Sequence, residues 1–446
     1  MTTIKDTPRF DLEVDGSPAP SDLVEAVISV TVRRDLDLSD GIEIEVSNKD
    51  LRFSEGDELA EGKKVSVKLG YVGGDLVRVA SGEVVRREFL FPERGPATVT
   101  VVAYDNRHTL KRTQNVRAWK DVKDSDVVSE LAQDAGFSAD VDATETQHAY
   151  IFQAGITDMA FILERARRLG FSVRVDSDGQ TLSFKKVTPG GASAELEWGH
   201  TLFSFRPRFT SSSQLTKVTV RGWDPMKKKS VVGEATKDEV DAFGAPRLGA
   251  AVAEKTYGAR ADLVPQFPVT DPNEAKEIAK AYLDSCAREY ARADGSCQGN
   301  TAIEPGGVVK IKGCGARASG DYSVHAVVHH YVPRGFTTYF EVVRPGTHEA
   351  PPPPTTAKKA PPPPREQPDA PTWVEFELVQ LGTAVVEGTP YTVTLPNGQT
   401  QQGTVDATKR IRVEGVNDAG QCRIQLHLKD GSVLLGSDAS TPPPGP

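Results

Sequence analysis

The chain has 446 residues, which is too many for one ordinary domain, so two to four domains are expected. Its 38% hydrophobic and 26% charged residues are typical of a soluble globular protein. The net charge of −9 argues against a general nucleic-acid binder, although a channel that lets DNA pass without gripping it would need no basic surface.

Residues 1–121 are predicted to form a first antiparallel, barrel-like β-domain. Apolar and polar residues alternate in short segments separated by Gly, Asp and Pro, which is typical of strands with one solvated face. The alternating segments are residues 10–14, 28–32, 42–46, 65–67 and 99–101.

Residues 122–199 are predicted to form an inserted α+β domain. One helix begins near Asp124 and is stopped by Gly136, and a second begins at Thr157 and is stopped by Gly170. Alternating residues 171–175 and 182–184 then predict two strands around a turn.

Residues 200–349 are predicted to form a second barrel-like β-domain that contains a helix over residues 271–291. Asp271 is the expected N-cap, Pro272 lies at the first helical position and Glu274 completes a variant of the capping box.

Three further segments follow. Residues 350–371 form a proline-rich linker, which favours an extended polyproline II conformation. Residues 372–437 are predicted to form a small C-terminal β-sandwich, and residues 438–446 a flexible tail. The predicted fold class is therefore α+β, mainly β, with two duplicated β-domains around the α+β insertion.

The duplication rests on an internal echo. Residues 62–68 (GKKVSVK) are echoed by residues 306–312 (GGVVKIK), and residues 99–105 also resemble residues 218–224. Three further pairs of similar segments follow in the same order along the chain. They are residues 81–83 with 319–321, residues 91–95 with 332–335, and the alternating residues 98–102 with 337–342. Three chains with two similar β-domains each would place six similar domains around one axis.

The candidate lumen residues are lysines on the echoed strands. Lys64, Lys68, Lys310 and Lys312 are predicted to point outward. If the strands line a ring, these lysines form tiers around its bore. An equally good interpretation is that they are solvated charges that protect a strand from aggregation.

The second predicted helix of the inserted domain carries a cluster of charges, residues 164–168 (ERARR). A solvated face is the simpler interpretation of this cluster. The sharper hypothesis is a subunit or partner interface that uses Arg165 and Arg168.

No catalytic residue, cofactor or metal site is predicted. The sequence has no G-x-S-x-G, H-E-x-x-H, P-loop or helix-opening G-x-G-x-x-G motif. His325, His329 and His330 lack a Cys or carboxylate at ligand spacing and are interpreted as ordinary strand residues. Residues 176–179 (DSDG) resemble the start of a calcium loop, but Val187 stands where a bidentate Glu is needed, so a β-turn is favoured.

The chain resembles the late control D proteins of phages and the VgrG hubs of type VI secretion, which are baseplate hub proteins. The resemblance covers residues 8–346 and rests on residues 126–132 (DVVSELA), 161–170 (FILERARRLG), 305–322 and 337–342. It implies a homotrimer whose barrel-like domains form a pseudo-sixfold torus between the tail tube and the threefold spike. The chain has no needle after this region, so the spike is expected to be a separate protein.

The implied function is a structural hub of a contractile tail or a related injection system. Its expected partners are the spike, the tail tube protein, the tape-measure protein and other baseplate proteins, with DNA or an effector passing through the bore unbound. The alternatives are a tail-associated cell-wall hydrolase, or a receptor- or glycan-binding protein that acts through its C-terminal domain.

The expected location is the baseplate of a virion tail or an injection particle made in the bacterial cytoplasm. Residues 1–6 have no apolar segment typical of a signal peptide, and no apolar run approaches the ~20 residues that cross a bilayer. The four cysteines form no C-x-x-C pair and are expected to be reduced.

Overall fold

The structure is a computed structural model in which the chain divides into two compact units, Met1–Thr355 and Thr356–Pro446. The linker predicted over residues 350–371 and the tail predicted over residues 438–446 lie outside the described residues. The fold is mainly β, and most strand pairs are antiparallel. No helix in the described part of the chain combines the length and apolarity needed to cross a membrane. The described residues are 7–187, 190–243, 245–264, 269–347, 373–377, 387–395, 397–408, 410–414, 422–428 and 433–437.

Residues 8–104 form seven strands and two short α-helices. Their apolar positions alternate, so that one face of each main strand enters a shared core while the other face stays polar. The elements are β1 (Pro8–Val14), β2 (Ser17–Pro18), α1 (Ser21–Ala26), β3 (Val27–Asp35), β4 (Gly41–Ser47), α2 (Arg52–Glu55), β5 (Lys64–Tyr71), β6 (Val77–Leu90) and β7 (Thr98–Tyr104).

The inserted α+β region follows, with a core of its own. The side chain of Thr157 caps the second helix and Gly170, with φ of +69°, ends it, as the sequence predicted. The elements are β8 (Gln114–Lys123), α3 (Asp124–Asp134), β9 (Ser138–Val141), β10 (Gln147–Thr157), α4 (Asp158–Leu169), β11 (Phe171–Val175) and β12 (Thr181–Lys186).

The chain then returns to the large sheet, with a second insertion between two of its strands. In this insertion a three-stranded sheet packs against a long helix around a separate core. The elements are β13 (Ala192–Glu197), β14 (Leu202–Phe209), β15 (Lys217–Asp224), β16 (Lys229–Thr236), β17 (Arg247–Leu248), α5 (Gly249–Tyr257), β18 (Ala261–Val264), α6 (Pro272–Arg288), β19 (Ala291–Gln298), β20 (Val308–Lys312), α7 (Gly315–Ala318), β21 (Gly320–Val332), β22 (Gly335–Arg344) and β23 (Gly346–Thr347).

The described residues of the C-terminal unit form two small antiparallel sheets around a core that includes Phe376, Val393 and Ile424. One sheet pairs β24 with β27, and the other has the order β26-β25-β28-β29. The strands are β24 (Trp373–Glu377), β25 (Pro390–Thr394), β26 (Thr400–Thr404), β27 (Arg410–Glu414), β28 (Arg423–His427) and β29 (Val433–Ser437).

Two groups of six strands in the large sheet follow the same order. The first half-sheet runs β3-β4-β7-β6-β5-β1 and the second runs β14-β19-β22-β21-β20-β13. The outermost pairs differ, because β1 is antiparallel to β5 whereas β13 is parallel to β20. The half-sheets are joined by the antiparallel pairing of β3 with β21.

Irregularities in the ladders fall at matching places. The β6–β7 register shifts after Val84 and the β21–β22 register shifts after Val324. The Gly62 N–H donates to the Val84 carbonyl, and the Gly306 N–H donates to the Val324 carbonyl, both at 2.8 Å. Val84 therefore corresponds to Val324.

A second shift fixes the other end of the half-sheets. The β3–β4 register shifts between Val27 and Ser29, and the β14–β19 register shifts between Leu202 and Ser204. Ser29 therefore corresponds to Ser204.

These registers correct two of the sequence echoes. Residues 62–68 correspond to residues 306–312 as predicted, but Ser81 corresponds to Asp321 and not to Ser319. The two-residue error preserves the face because side chains alternate with period two. The echo of residues 99–105 in residues 218–224 is not structural, since β15 lies in the separate sheet with β16 and β18.

Different side chains fill the same core position in the two half-sheets. Ile44 faces Val101 in the first half-sheet, and the corresponding pair in the second is Gly295 facing Phe340. A Cβ at Gly295 would lie 2.3 Å from Cζ of Phe340, so this ring fills the space that a larger β19 side chain would need.

We therefore expect Gly295→Val to lower the free energy of unfolding by about 1–3 kcal/mol through overpacking. Phe340→Val should lower it by a few kcal/mol through a cavity. The double variant restores the Ile44-type arrangement and should lose less than the sum. Urea unfolding in a double-mutant cycle measures this coupling, and strictly additive losses would contradict the correspondence.

Candidate functional site

The candidate lysines lie on the corresponding strands β5 and β20. Lys64 and Lys310 are exposed, whereas Lys68 and Lys312 are half-buried. Of the four, Lys68 and Lys312 occupy corresponding positions. Lys68 forms an ion pair with Glu13 of β1, and Lys312 forms one with Glu195 of the corresponding strand β13. Two of the four positive charges are thus balanced within the chain.

Arg165 and Arg168 are buried, so the solvated-face interpretation is wrong for them. Their side chains are 8% and 6% exposed. Arg165 donates to Asp124 at the start of α3, and Arg168 donates to Glu274 of α6. The interface that they form lies inside the chain, between the inserted region and the second insertion.

His148 completes this buried group. Its Nε2 lies 2.9 Å from Oδ2 of Asp124, and its Nδ1 lies 3.8 Å from Oε1 of Glu274. Burial is the strongest influence on Asp124 and raises its pKa, but hydrogen bonds from His148 and Arg165 outweigh it, so the net pKa is lowered. The carboxylate of Asp124 therefore serves as a structural anion.

A second buried ionic group, which the sequence did not predict, surrounds Arg107. The Arg107 side chain is 1% exposed. Its Nε and Nη2 donate to Oδ2 of Asp105 at 2.9 and 2.7 Å, and its Nη2 also donates to Oδ1 of Asp40 at 3.1 Å. Its Nη1 donates at 2.8 Å to the carbonyl of Val173 in the inserted region.

The same group reaches the second half-sheet. Arg34 of β3 donates through Nε to Asp40 at 3.0 Å and through Nη1 to Glu304 at 3.2 Å. Burial raises the pKa of Asp40 despite the neighbouring guanidinium groups of Arg34 and Arg107. We name Arg34, Asp40, Asp105, Arg107 and Glu304 the junction cluster, because it ties both half-sheets to the inserted region.

The three histidines occupy different environments. Nδ1 of the buried His329 lies 3.0 Å from Oγ1 of Thr338, and Nδ1 of His330 lies 3.0 Å from Oγ1 of Thr31 on the opposite face. Nε2 of the third, His325, lies 3.8 Å from Oδ2 of Asp37.

The sequence prediction that no carboxylate lies at ligand distance is wrong for His325. Two carboxylates, Asp35 and Asp37, do lie near this ring, with ligand atoms within 4.8 Å of one another. The Asp37 side chain is 67% exposed, and Oδ1 of Asp35 already accepts two backbone N–H groups, from Asp37 and Leu38. We assign no metal to this group.

Residues 176–179 form the predicted turn between β11 and β12. Oδ1 of Asp176 accepts the N–H groups of Gln180 and Thr181, and Gly179 has φ of +78°. The turn also contacts the first half-sheet, since Ser81 donates its hydroxyl to the Ser177 carbonyl at 2.9 Å.

All four cysteines are free thiols. Burial raises the pKa of Cys297 to about 12, which keeps this thiol protonated and unreactive at neutral pH.

Solved structures with a similar fold include phage tail proteins. The 43 kDa tail protein of prophage MuSo2 from Shewanella oneidensis is 15% identical with a TM-score of 0.58, over 76% of this chain and 99% of that one. A tail protein from Neisseria meningitidis MC58 is 13% identical with a TM-score of 0.55, over 77% and 98%.

A third similar structure comes from a secretion machine. The E. coli c3393 protein, a component of the type VI secretion system, is 12% identical with a TM-score of 0.50, over 95% of this chain and 92% of that one. At such identities these similarities establish a shared fold.

Among curated proteins, no sequence matches this chain. Residues 5–332, well over half of the chain, match the family model described as the Alg8 N-terminal domain, and the chain belongs to that family.

Proposed function

We propose that this chain is a structural baseplate hub of a contractile tail or a phage-like injection system, of the late control D or VgrG type. Three copies form a ring that adapts the sixfold tail tube to a threefold spike, which is a separate protein. The observation that carries this proposal is the repetition of six strands in one order within a single chain, with the same antiparallel pairing among the first five strands of each half-sheet. The fold shared with tail proteins supports the same setting.

The symmetry argument is geometric. A chain with two corresponding half-sheets offers two similar surfaces, and three such chains offer six. Each half-sheet has its own apolar core, which supports two barrel-like domains. Head-to-tail contacts between copies close into a ring when the rotation permits, so one threefold protein can present a pseudo-sixfold face.

We assign the bore to the polar face of eight consecutive strands, β14-β19-β22-β21-β3-β4-β7-β6. One ion pair on this face recurs at corresponding positions of the two half-sheets. In the first half-sheet, Nη1 of Arg33 lies 3.3 Å from Oε2 of Glu43. In the second, Nη2 of Arg208 lies 2.5 Å from Oδ2 of Asp294. Paired charges create little net field, which suits the passage of DNA, tape-measure protein or effector without binding.

The candidate lysines take a different place in this arrangement. Lys64 and Lys68 lie on β5, which pairs with β6, and Lys310 and Lys312 lie on β20, which pairs with the start of β21, so neither pair of lysines is on the eight-strand run. We propose that they lie at the rim of the ring, where neighbouring tail proteins meet it.

Among the described residues, no observation favours a cell-wall hydrolase. A cavity of about 350 Å³ on the proposed bore face includes Asp35, Arg33 and Glu43 in its lining, but Glu43 is engaged by Arg33 and Asp35 by backbone N–H groups. Zymography on peptidoglycan, with lysozyme as the positive control, tests this alternative, and clearing by the purified chain would support it. The C-terminal unit is proposed as a tethered accessory domain for a baseplate neighbour.

The oligomeric state tests the hub proposal. Light scattering coupled to size-exclusion chromatography, run over a range of concentrations, is expected to give the mass of three chains. A protein that stays monomeric at every concentration would contradict the proposed ring.

A further inference from the structure

Each half-sheet contains one long strand, β6 in the first and β21 in the second. Along one edge of this strand, the two ends have different neighbours. In β21, the segment Gly320–Ser323 pairs with β20, and the segment Ala326–Tyr331 pairs along the same edge with β3 of the first half-sheet. In the corresponding strand β6, residues 77–83 pair with β5, and residues 83–90 pair with β7 on the other edge. Within the described part of the chain, no strand pairs with the remaining edge of residues 86–90.

The strand that corresponds to β3 also has an open edge. β3 pairs with β4 on one side and β21 on the other. β14 pairs with β19, and its other edge meets no strand among the described residues apart from a single bridge between Trp198 and Leu202. The chain thus forms the β3–β21 junction once and leaves both halves of a second junction open.

We propose that β14 of one copy pairs antiparallel with residues 86–90 of β6 in the next copy. This inference rests on the proposed ring and specifies its contact between subunits. Three such pairings, alternating with the three internal β3–β21 pairings, close the ring and leave neither edge open. The occupant of each open edge is therefore a second copy of this chain.

The register of the β3–β21 pair within the chain predicts the register of the proposed β14–β6 pair between copies. Val328 faces Arg33 in the β21–β3 pair. From the two matching register shifts, Val328 corresponds to Glu88 and Arg33 to Arg208. The transferred register therefore places Glu88 opposite Arg208 of the neighbouring copy. Opposite charges in facing positions stabilise an antiparallel pair, and both side chains are exposed in the single chain.

Apolar exposure supports the same surface. Phe89, Leu90 and Phe91 are consecutive and are 39%, 57% and 63% exposed. Such a run is unusual on a solvated strand end and typical of a contact surface. The transferred register places Phe89 opposite Pro207, which has no N–H to donate, so the two apolar side chains would supply contact where the ladder has one donor fewer.

Disulfide trapping tests this register. Facing residues of an antiparallel pair have Cα atoms about 4.5–5.5 Å apart, which a disulfide can span. In the full chain, the double variant Glu88→Cys with Arg208→Cys is expected to give covalent trimers on mild oxidation, and nothing larger, because each copy links to the next and the ring closes.

Two controls accompany it. Arg86→Cys with Arg206→Cys places the thiols four residues out of register, about 13 Å apart, and should give no covalent trimer. The unaltered chain and each single-cysteine variant measure the background of the native thiols, of which Cys297 is buried and Cys286 and Cys314 are half-buried.

A charge reversal gives a second readout that does not depend on oxidation. Glu88→Arg places two cations opposite each other and is expected to raise the concentration at which half of the protein is trimeric by at least about tenfold. The matched control is Glu164→Arg, which changes an exposed acid on α4, away from either open edge.

The outcomes separate the two proposals. Covalent trimers from the in-register pair alone support the strand pairing. A protein that is trimeric by light scattering but gives no in-register disulfide, or equal trapping by both pairs, overturns the pairing and leaves the hub proposal standing. A protein that is monomeric throughout overturns both.

Discussion

Replacing Arg107 with methionine is expected to lower the free energy of unfolding by about 3–5 kcal/mol, because it leaves Asp40 and Asp105 as buried, uncompensated charges. The guanidinium lies between these carboxylates and also holds the carbonyl of Val173. Urea unfolding followed by circular dichroism measures the loss. Arg112→Met is the matched control, since Arg112 is 58% exposed and its pair with Glu83 is worth at most about 1 kcal/mol.

We also expect a second substitution in the junction cluster to rescue part of this loss. Adding Asp105→Asn to Arg107→Met removes one unpaired charge, so the double variant should lose less stability than the two single variants do together. If Arg107→Met behaves like Arg112→Met, or if the losses simply add, the junction cluster does not hold the half-sheets and the inserted region together as described.

Acid is expected to destabilise the fold through His329. Burial lowers the pKa of this ring from 6.5 to about 3, and the nearby positive charge of Arg34 acts in the same direction. Between these values the unfolded chain binds a proton that the folded chain does not. The free energy of unfolding should therefore fall by about 1.4 kcal/mol per pH unit as the pH drops from about 6.5 towards about 3.

Two other buried acids, Asp124 and Asp40, change the dependence of stability on pH in ways that differ from the effect of His329. The lowered pKa of Asp124 adds stability that is lost only in stronger acid, as the pH falls through that pKa below its usual value of 3.8. Asp40, whose pKa is raised, has the opposite sign, because its folded form holds a proton that the unfolded form releases. Comparison with a His329 variant removes both contributions.

The variant His329→Gln keeps a partner for Thr338 and should flatten the dependence of the unfolding free energy on pH between about 6.5 and about 4.5. Urea unfolding at a series of pH values measures this slope. His200→Gln, at an exposed turn residue, should leave the slope unchanged. An unaltered slope in His329→Gln would show that His329 does not carry the acid sensitivity.

Structural features that depend on residues close together in the sequence were predictable from it. The cap at Thr157, the stop at Gly170 and the cap at Asp271 depend on residues within one helical turn, and the structure has all three. The strands of the first half-sheet follow from alternation, because period two identifies the buried face directly.

Features that depend on distant partners were not predictable. Arg107 and Asp40 are 67 residues apart, and neither has a local pattern that announces the other. Arg165 and Arg168 have the sequence of a solvated helix face, yet His148 and the carboxylates of Asp124 and Glu274 meet them from other elements. The alternation of apolar and polar residues identifies the face of the sheet on which a side chain lies, but not the residue that faces it on the next strand. The predicted match of Ser81 with Ser319 is therefore two residues out of register.

We propose that three chains form a ring of six corresponding half-sheets, and single-particle cryo-electron microscopy of the full chain would show this ring. We expect threefold particles with six similar β-domains around a bore that is lined by the eight strands from β14 to β6 of each chain. Particles of a single copy, or a threefold assembly whose half-sheets do not alternate around one axis, would contradict it.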